Sequence, residues 1–309
     1  MKFGIIKERK NPPDRRVVFS PNEIKTIQEQ FPVVCFKVEP SDIRIFSDAE
    51  YQNLGIEVTD DLSDCEVLFG VKEVPVEALI PNKKYFFFSH TIKKQPYNQK
   101  LLQAVLEKNI ELYDHETIVD AANKRLIGFG RYAGIVGAYN AIRAFGIKFE
   151  LFKMPKASAL KGRDALVQQV KRQIIPPIKI VVTGTGKVGS GVKEMLLAMK
   201  IKEVSVENFL TKKFTQPVFT QIDVLEYNKR MDGQKFDTKD FYKNPSEYES
   251  DFERFTKVAD IYISGHFHAN AAPQILSQKM LQANDCAIKI VADISCDVNG
   301  PIACTLRAS

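Results

Sequence analysis

A glycine-rich turn between an apolar run and a helical pattern constrains the fold of this chain more than any other feature. The run 178–183, Ile-Lys-Ile-Val-Val-Thr, leads into the turn 184–189, Gly-Thr-Gly-Lys-Val-Gly, and a helical pattern follows over 192–199. A strand, a G-x-G-x-x-G turn and a helix in this order are typical of a βαβ unit that binds the pyrophosphate of a dinucleotide at the helix N-terminus. The sequence therefore predicts a dinucleotide site at this turn.

An acidic residue after the turn indicates which cofactor is expected. Glu207 stands 21 residues after Gly186, and we expect it to end the next strand and to accept hydrogen bonds from the adenosine ribose. This arrangement favours NAD over NADP, although Lys212 and Lys213 leave NADP open. The residues predicted to contact the cofactor are Gly184, Thr185, Gly186, Lys187, Val188, Gly189 and Glu207.

Short apolar runs alternate with helical patterns from the N-terminus onward, which predicts an α/β fold with mostly parallel sheets in two Rossmann-like domains. Ser20 with Glu23, and Ser47 with Glu50, have the spacing of helix capping boxes. The polar and aromatic stretch 216–248 has weak periodicity and is interpreted as an insertion or extended loop. The predicted strands are 2–6, 33–38, 66–69, 85–89, 110–113, 178–182, 204–206, 260–264 and 287–292.

A long helix over 130–145 is predicted to link the two domains, because periodicity fades after it and Pro176-Pro177 interrupts the chain before the next strand. We expect residues 1–130 to form a substrate domain and residues 131–309 to form a dinucleotide-binding domain, with a cleft between them. The small residues of the helix would permit close approach to another backbone. They are Ala133, Gly134, Gly137 and Ala138.

Composition and charge exclude several classes of protein. Of the 309 residues, 44% are apolar and 27% are charged, as in ordinary globular domains, and no apolar run approaches the length of a membrane span. The five cysteines are an odd number without a C-x-x-C pair, which favours reduced thiols over disulfides or a metal site. The net charge of +6 is spread along the chain. We therefore expect a cytoplasmic protein without an export leader, which binds anionic small molecules and needs neither nucleic acid nor membrane.

Two basic residues stand where acid–base chemistry is expected. Lys72 and His90 each follow a strongly apolar strand, so both are predicted at carboxyl ends of strands, where open α/β sheets bind their ligands. Two basic groups that share one cleft should lower each other's pKa and favour general-base function. His266 and His268 follow a later strand, but a third metal ligand is missing, so a lining or packing role is expected and no metal is predicted.

Seven colinear segments resemble the lysine-forming saccharopine dehydrogenases, most closely the lysine–ketoglutarate reductase half of the bifunctional aminoadipic semialdehyde synthases. The wider superfamily, which includes alanine dehydrogenase and the transhydrogenase nucleotide-binding subunit, is similar at 7–21 and 70–75. The stretch Ser-His-Thr-Ile-Lys after residue 88 and the segment 241–248 favour the saccharopine branch. The seven segments are 7–17, 70–75, 87–95, 129–134, 183–188, 241–248 and 292–297.

The resemblance implies a reaction and a set of site residues. The reaction transfers a hydride between NAD and the secondary amine of saccharopine, and interconverts saccharopine with lysine and 2-oxoglutarate. The resemblance assigns the acid–base pair to Lys72 and His90, and a modulating carboxylate to Glu116. It assigns substrate-carboxylate contacts to Arg16, Lys93 and Arg125, and a polar contact to Gln95.

Two other functions stay open, and the length of the chain raises a further expectation. One alternative is an alanine dehydrogenase-type enzyme in which ammonia replaces lysine, and the other is a dinucleotide-binding protein without catalysis. Relatives continue well beyond the segment 292–297, so we expect the 309-residue chain to lack a return segment that completes the first domain and its hinge. Weak or absent activity, nucleotide binding better preserved than turnover, and exposed apolar residues in the first domain would follow.

Overall fold

The computed structural model describes residues 1–11, 13–94, 96–266, 268, 272–295, 297–298 and 300–306. The chain divides into two compact units, Met1–Gly128 and Phe129–Ser309. Each unit has its own sheet, with apolar clusters that take residues from the strands and from the neighbouring helices. In the described residues, no helix has both the length and the apolar character needed to cross a membrane.

The first unit is built on a parallel sheet whose carboxyl ends share one edge. In the described part of this unit, six strands pair in the order β3-β2-β1-β4-β5-β6, and every pair is parallel. Segments 6–8, 70–72, 88–90 and 115–116 therefore leave the sheet at the same edge. The strands are β1 (Lys2–Ile5), β2 (Cys35–Val38), β3 (Glu57–Val58), β4 (Val67–Phe69), β5 (Lys84–Phe87) and β6 (Glu111–Asp114).

Helices cover this sheet, and two of them begin at the predicted capping boxes. The Ser20 hydroxyl accepts from the Glu23 N–H at 3.3 Å, and the Glu23 carboxylate accepts from the Ser20 N–H at 2.6 Å. Ser47 and Glu50 repeat the arrangement, so both capping predictions are confirmed. The helices are α1 (Pro21–Gln30), α2 (Asp48–Gln52) and α3 (Gln99–Glu107), and short 3-10 turns occupy Val76–Ala78, Thr91–Lys93 and Pro96–Asn98.

The second unit also contains a parallel sheet, covered on both faces. Among its described residues, five strands pair in the order β13-β12-β7-β9-β8. Ile180 and Val182 of β7 pack into one core and Val181 into another, because successive side chains of a strand point to opposite faces. The strands of the unit are β7 (Lys179–Thr183), β8 (Lys202–Glu203), β9 (Val218–Ile222), β10 (Asn228–Arg230), β11 (Tyr248–Ser250), β12 (Ile261–Ser264) and β13 (Ile290–Asp293), of which β10 and β11 form a separate antiparallel pair.

The long helix α4 (Gly130–Lys148) packs along α6 (Lys187–Ala198) within the second unit. A Cβ on Gly134 would lie 2.0 Å from the Val188 carbonyl oxygen, and one on Gly191 would lie 2.0 Å from the Arg131 carbonyl oxygen. The predicted close approach of two backbones is therefore confirmed. The other helices are α5 (Gly162–Lys171), α7 (Val206–Thr211), α8 (Val224–Tyr227), α9 (Thr238–Lys243), α10 (Glu253–Thr256) and α11 (Gln278–Gln282), with 3-10 turns at Ala157–Ala159 and Pro245–Glu247.

The α/β class with mostly parallel sheets is confirmed, but the interpretation of 216–248 as a loop is wrong. This stretch contains β9, which lies beside β7 in the interior of the sheet. The strand was not predicted because it contains the polar residues Thr220 and Gln221. In the structure Thr220 is buried, and the Gln221 amide donates to the Gly184 carbonyl at 2.8 Å. The strand predicted at 204–206 is wrong as well, because Ser205 caps α7.

Candidate active site and dinucleotide turn

A carboxylate from β1 holds the turn that carries Lys72. Glu8 follows β1, and its two carboxylate oxygens accept from the Val71 N–H at 2.7 Å and the Lys72 N–H at 2.9 Å. Burial raises the pKa of Glu8, although these two N–H groups act in the opposite direction. The backbone at Lys72 is thus fixed from the neighbouring strand.

The Lys72 amine has a lowered pKa, as the sequence predicted, but for a different reason. Burial is the largest cause, and the positive charges of Arg16 and Lys10 add to it. Glu73 and Asp14 act in the opposite direction and are too weak to restore the ordinary pKa. The surroundings of Lys72 therefore favour a neutral amine more than water does.

The imidazole of His90 is held by Glu73, a residue that the sequence prediction left out. Its Nδ1 lies 2.5 Å from Oε1 of Glu73, while Oε2 of Glu73 lies 3.0 Å from the Lys10 amine. Burial raises the pKa of Glu73, but the hydrogen bonds from His90 and Lys10 help to bring it below its usual range. Because Glu73 occupies Nδ1, Nε2 is the ring nitrogen that is left to exchange a proton with a ligand.

Arg16 is oriented by a neighbouring carboxylate. Its guanidinium donates to both oxygens of Asp14, with Nε at 2.9 Å from Oδ1 and Nη2 at 2.5 Å from Oδ2. Burial raises the pKa of Asp14, but the hydrogen bonds from Arg16 outweigh it and hold the pKa below its usual range. Arg15 instead donates to the Ile43 carbonyl at 3.2 Å. The structure thus groups Arg16 with Lys72, Asp14 and Glu73.

The end of β6 holds two more of the predicted residues. The Arg125 guanidinium lies 3.3 Å from Oε1 of Glu116 and 5.5 Å from the centre of the Phe88 ring. Asp114 accepts hydrogen bonds from the backbone and hydroxyl of Ser89, which fixes the start of the His90 loop. Gln95 and the side chain of Lys93 lie outside the part of the chain that the structure describes.

The glycine turn has the close contacts that a dinucleotide site requires. Gly184 adopts a φ of +95°, and a Cβ on Gly189 would lie only 1.9 Å from the Gly184 carbonyl oxygen. Apart from the two chain neighbours of Gly186, which caps α6, no heavy atom of the described residues lies within 4 Å of the position a Cβ would take. The helix N-terminus is therefore open to an approaching pyrophosphate, and these residues fit a dinucleotide.

The position predicted for Glu207 is wrong. Glu207 lies in the first turn of α7, after the edge strand β8, and β9 separates that strand from β7. The missed strand β9 caused this error. At the end of β9, the Ile222 carbonyl accepts from the Gly184 N–H at 2.9 Å, so the backbone of the next residue, Asp223, lies beside the turn. Asp223 also caps α8.

His266 lies at the end of β12 within a short chain of hydrogen bonds. Its Nδ1 is 2.7 Å from the Thr183 hydroxyl, which lies 3.1 Å from the Tyr262 hydroxyl. Burial lowers the pKa of His266 to about 4. The described residues contain no group of three or more His, Cys, Asp or Glu side chains able to hold a metal. The hydrogen bond to Thr183 fixes the orientation of the His266 ring at the end of β12.

The sequence analysis missed three carboxylates that orient this site: Glu8, Asp14 and Glu73. Each of the three stands beside a basic residue in the segments 7–17 and 70–75. Alternating charges after a predicted strand were therefore the sequence signal that could have identified these carboxylates. Asp14 contacts Arg16 only two residues away, but Glu8 contacts a turn more than 60 residues away. The arrangement of β1 beside β4 brings Glu8 to that turn.

Comparison with known proteins defines the relationships of the chain. It is 29% identical over 99% of its length to an alpha-aminoadipic semialdehyde synthase of Arabidopsis thaliana, and 28% identical over 91% to the mitochondrial synthase of Bos taurus. It covers 33% of each synthase, so it spans about a third of these relatives. A saccharopine dehydrogenase [NAD(+), L-lysine-forming] of Yarrowia lipolytica is 23% identical over 85% of the chain and 67% of its own length.

Solved structures share the fold. An L-alanine dehydrogenase matches 98% of the chain and 76% of its own length, with a TM-score of 0.57 and 16% identity. A transhydrogenase from Sinorhizobium meliloti matches 94% of the chain and 76% of its own length, with a TM-score of 0.56. Residues 4–136 match the family described as alanine dehydrogenase/PNT, N-terminal domain. The resemblance predicted from the sequence is confirmed: the chain is similar to aminoadipic semialdehyde synthases and saccharopine dehydrogenases, and its residues 4–136 match the alanine dehydrogenase/PNT N-terminal domain.

Proposed function

We propose that the chain is an NAD(P)-dependent oxidoreductase of the saccharopine dehydrogenase type, which interconverts saccharopine with lysine and 2-oxoglutarate. The observation that carries the proposal is the hydrogen-bonded series Lys10, Glu73 and His90 beside Lys72. A relative named saccharopine dehydrogenase [NAD(+), L-lysine-forming] supports the substrate class. The first unit would bind the amino acid and the second unit the nucleotide.

The proposed reaction needs two groups that move protons. A nicotinamide dinucleotide held at the turn Gly184–Gly189 would supply a hydride acceptor for the carbon beside the secondary amine of saccharopine, and loss of that hydride would leave an imine. Lys72, whose pKa is lowered, accepts the proton of the amine. His90 removes a proton from the water that attacks the imine and returns it to the departing lysine nitrogen, with Glu73 holding the ring.

The cations of the first unit suit a substrate with three carboxylates. Arg16 is pre-oriented by Asp14 and Arg125 by Glu116, so each guanidinium loses little freedom when it binds an anion. Lys93 and Gln95 remain proposed contacts, carried over from the family segments. An open cavity of about 300 Å³ beside Glu73 is lined by Arg9, Lys10 and Lys100, and it offers space for an anionic ligand in this unit.

The proposed nucleotide is NAD, with NADP as the alternative. The turn Gly184–Gly189 would hold the pyrophosphate, and Asp223 replaces Glu207 as our proposed ribose partner. A carboxylate at this place accepts from the ribose hydroxyls and repels a 2′-phosphate. We also propose a cytoplasmic location, because Cys35, Cys65, Cys286 and Cys304 are free thiols, as is usual in a reducing compartment.

One set of assays tests the proposal against its rivals. Oxidation of NADH and of NADPH is measured with 2-oxoglutarate and lysine, with pyruvate and ammonia, and with each oxo acid alone. Turnover that requires both lysine and 2-oxoglutarate supports the proposal. Turnover with pyruvate and ammonia would instead indicate an alanine dehydrogenase, and nucleotide binding without any turnover would indicate a binding protein.

A further inference from the structure

A buried histidine that the proposed reaction does not use lies between the two catalytic loops. His115 follows β6 and is only 6% exposed. Its Nε2 lies 3.2 Å from the carbonyl oxygen of Gly70. In the described part of the chain, its Nδ1 is buried and has no hydrogen-bond partner. One ring nitrogen is therefore engaged and the other is not.

The hydrogen bond to Gly70 defines the form of the imidazole. A carbonyl oxygen can only accept, so Nε2 carries the hydrogen and donates it. Burial lowers the pKa of His115 and so favours the neutral ring, in which Nδ1 has a lone pair and no hydrogen. A buried polar atom without a partner costs stability, so an apolar ring would suit this place better unless the bond from Nε2 has a role.

This bond holds the first residue of the turn that carries Lys72. Gly70 follows β4, its N–H donates to the Phe86 carbonyl at 2.9 Å, and Glu8 holds the next two N–H groups. His115 adds the contact on the carbonyl of Gly70. Glu8 and His115 thus hold the N–H and the carbonyl of the same Gly70–Val71 peptide group, from the ends of β1 and β6.

The same ring also reaches the loop that carries His90. The centre of the His115 ring lies 5.2 Å from that of Phe88, and Phe88 lies 6.3 Å from His90 with nearly parallel planes. The Phe88 ring therefore contacts the imidazoles of both His115 and His90. A single buried residue contacts the start of both segments that present the acid–base pair.

We propose that His115 is a positioning residue, which sets the separation of Lys72 and His90 by hydrogen bonding to Gly70 and packing against Phe88. Its effect on turnover rests on the proposed function, whereas its effect on the turn does not. Replacing the ring changes no group that touches substrate. The consequence of its loss is a misplaced Lys72, which geometry-sensitive chemistry converts into a lower rate.

Two substitutions separate the hydrogen bond from the packing. His115→Phe keeps a ring against Phe88 and removes the donor, and His115→Gln supplies an amide N–H near the place of Nε2. Tyr113→Phe, on the same strand, is the control, because it removes only an exposed hydroxyl contact to Glu111. We measure amide hydrogen exchange at Val71 and Lys72, kcat and KM for saccharopine across pH, and the imidazole tautomer of the unaltered protein by ¹⁵N NMR.

The proposal predicts a distinct result for each measurement. The tautomer of His115 is Nε2–H, and His115→Phe speeds exchange at Val71 and Lys72. The same variant lowers kcat by up to about 10²-fold, the effect of a displacement near 1 Å. In the plot of kcat against pH, it also shifts the limb that Lys72→Met abolishes. His115→Gln restores a large part of both effects, and Tyr113→Phe changes neither.

Other results would overturn the proposal or bear on the function alone. A hydrogen on Nδ1, or exchange in His115→Phe equal to that of the unaltered protein, would refute it. If His115→Phe does not fold, the tautomer and the exchange rates of His115→Gln decide. If the unaltered chain binds nucleotide but turns over no substrate, the proposed function fails, while the tautomer and exchange results still judge the role of His115.

Discussion

Glu73 holds Nδ1 of His90 at 2.5 Å, and this carboxylate lies one residue after Lys72 along the chain. The side chains of Glu73 and His90 are 14% and 17% exposed, so water screens their interaction only in part. A single dipeptide, Lys72-Glu73, thus provides one member of the proposed acid–base pair and the partner of the other. Movement of this turn would displace both groups together.

Glu73→Gln should lower turnover without unfolding the first unit. The amide keeps the size of the side chain but loses the charge that holds His90 and Lys10. We expect kcat with saccharopine to fall by roughly 10²-fold, the lower end of what a general acid–base group contributes. The control is Glu77→Gln, an exposed neighbour. Equal kcat values for the two variants would contradict a role for Glu73.

Lys72→Met should abolish proton transfer while leaving nucleotide binding intact. The methylene chain still packs, but the amine is gone, so we expect turnover to fall by about 10²–10⁴-fold. Titration with NADH should give an unchanged Kd, because the glycine turn belongs to the other unit. Lys25→Met, on an exposed face of α1, serves as the matched control. Full activity of Lys72→Met would remove Lys72 from the mechanism.

Two glycine substitutions in the turn should have opposite effects on folding and binding. Gly189→Ala places a methyl group 1.9 Å from the Gly184 carbonyl oxygen, so the second unit should lose stability. In Gly186→Ala, the new methyl group lies more than 4 Å from all described atoms beyond the two neighbouring residues, so the Tm should stay unchanged while the methyl blocks the pyrophosphate. Thermal melting and NADH titration of both variants check this. Normal NADH affinity in Gly186→Ala would contradict the proposed site.

Asp223→Asn should change the choice of cofactor, and Glu207→Gln should not. Asparagine can still cap α8, so the fold is preserved while the negative charge beside the turn is lost. We expect the ratio of NADPH to NADH affinity to rise roughly tenfold, as for one hydrogen bond to a charged group. Comparison of Kd values decides between the residues. A shift in Glu207→Gln alone would restore the original assignment.

The second unit should lose stability in acid through His266. In the unfolded chain an imidazole titrates near its ordinary pKa of about 6.5, whereas burial lowers the pKa of His266 to about 4 in the folded chain. As pH falls below about 6.5 the unfolded state binds protons first, so stability declines until the folded form is protonated near pH 4, by about 3 kcal/mol in all. Urea unfolding of the chain and of His266→Gln at several pH values tests this. The stability difference between them should shrink in acid, and parallel curves would contradict the prediction.

Local sequence rules predicted the features that depend on neighbouring residues. The capping boxes of Ser20 and Ser47 and the turn Gly184–Gly189 each lie within a few residues of their partners, so their spacing alone is informative. The same rules did not predict strand β9, because its residues Thr220 and Gln221 are polar. In the folded chain Thr220 is buried, and the half-buried Gln221 donates a hydrogen bond to the Gly184 carbonyl.

The rest of the candidate site could not be predicted, because it depends on which strands are neighbours. Glu8 contacts the Lys72 turn since β1 pairs with β4, and His115 reaches Gly70 from the end of β6. Hydrophobic periodicity predicts that a strand exists but not its place in the sheet. The error at Glu207 has the same origin, because the second strand of the unit lies at the edge.

The contact between α4 and α6 extends the sequence signature of nucleotide binding beyond the glycine turn. Gly134 is about 50 residues before the turn, yet a methyl group there would collide with the Val188 carbonyl, inside the motif itself. A substitution at Gly134 would therefore disturb the glycine turn without changing the sequence 184–189. A search for functional relatives that scores only residues 184–189 would accept chains in which α4 cannot pack against the turn. Requiring a glycine at the position of Gly134 would exclude those chains.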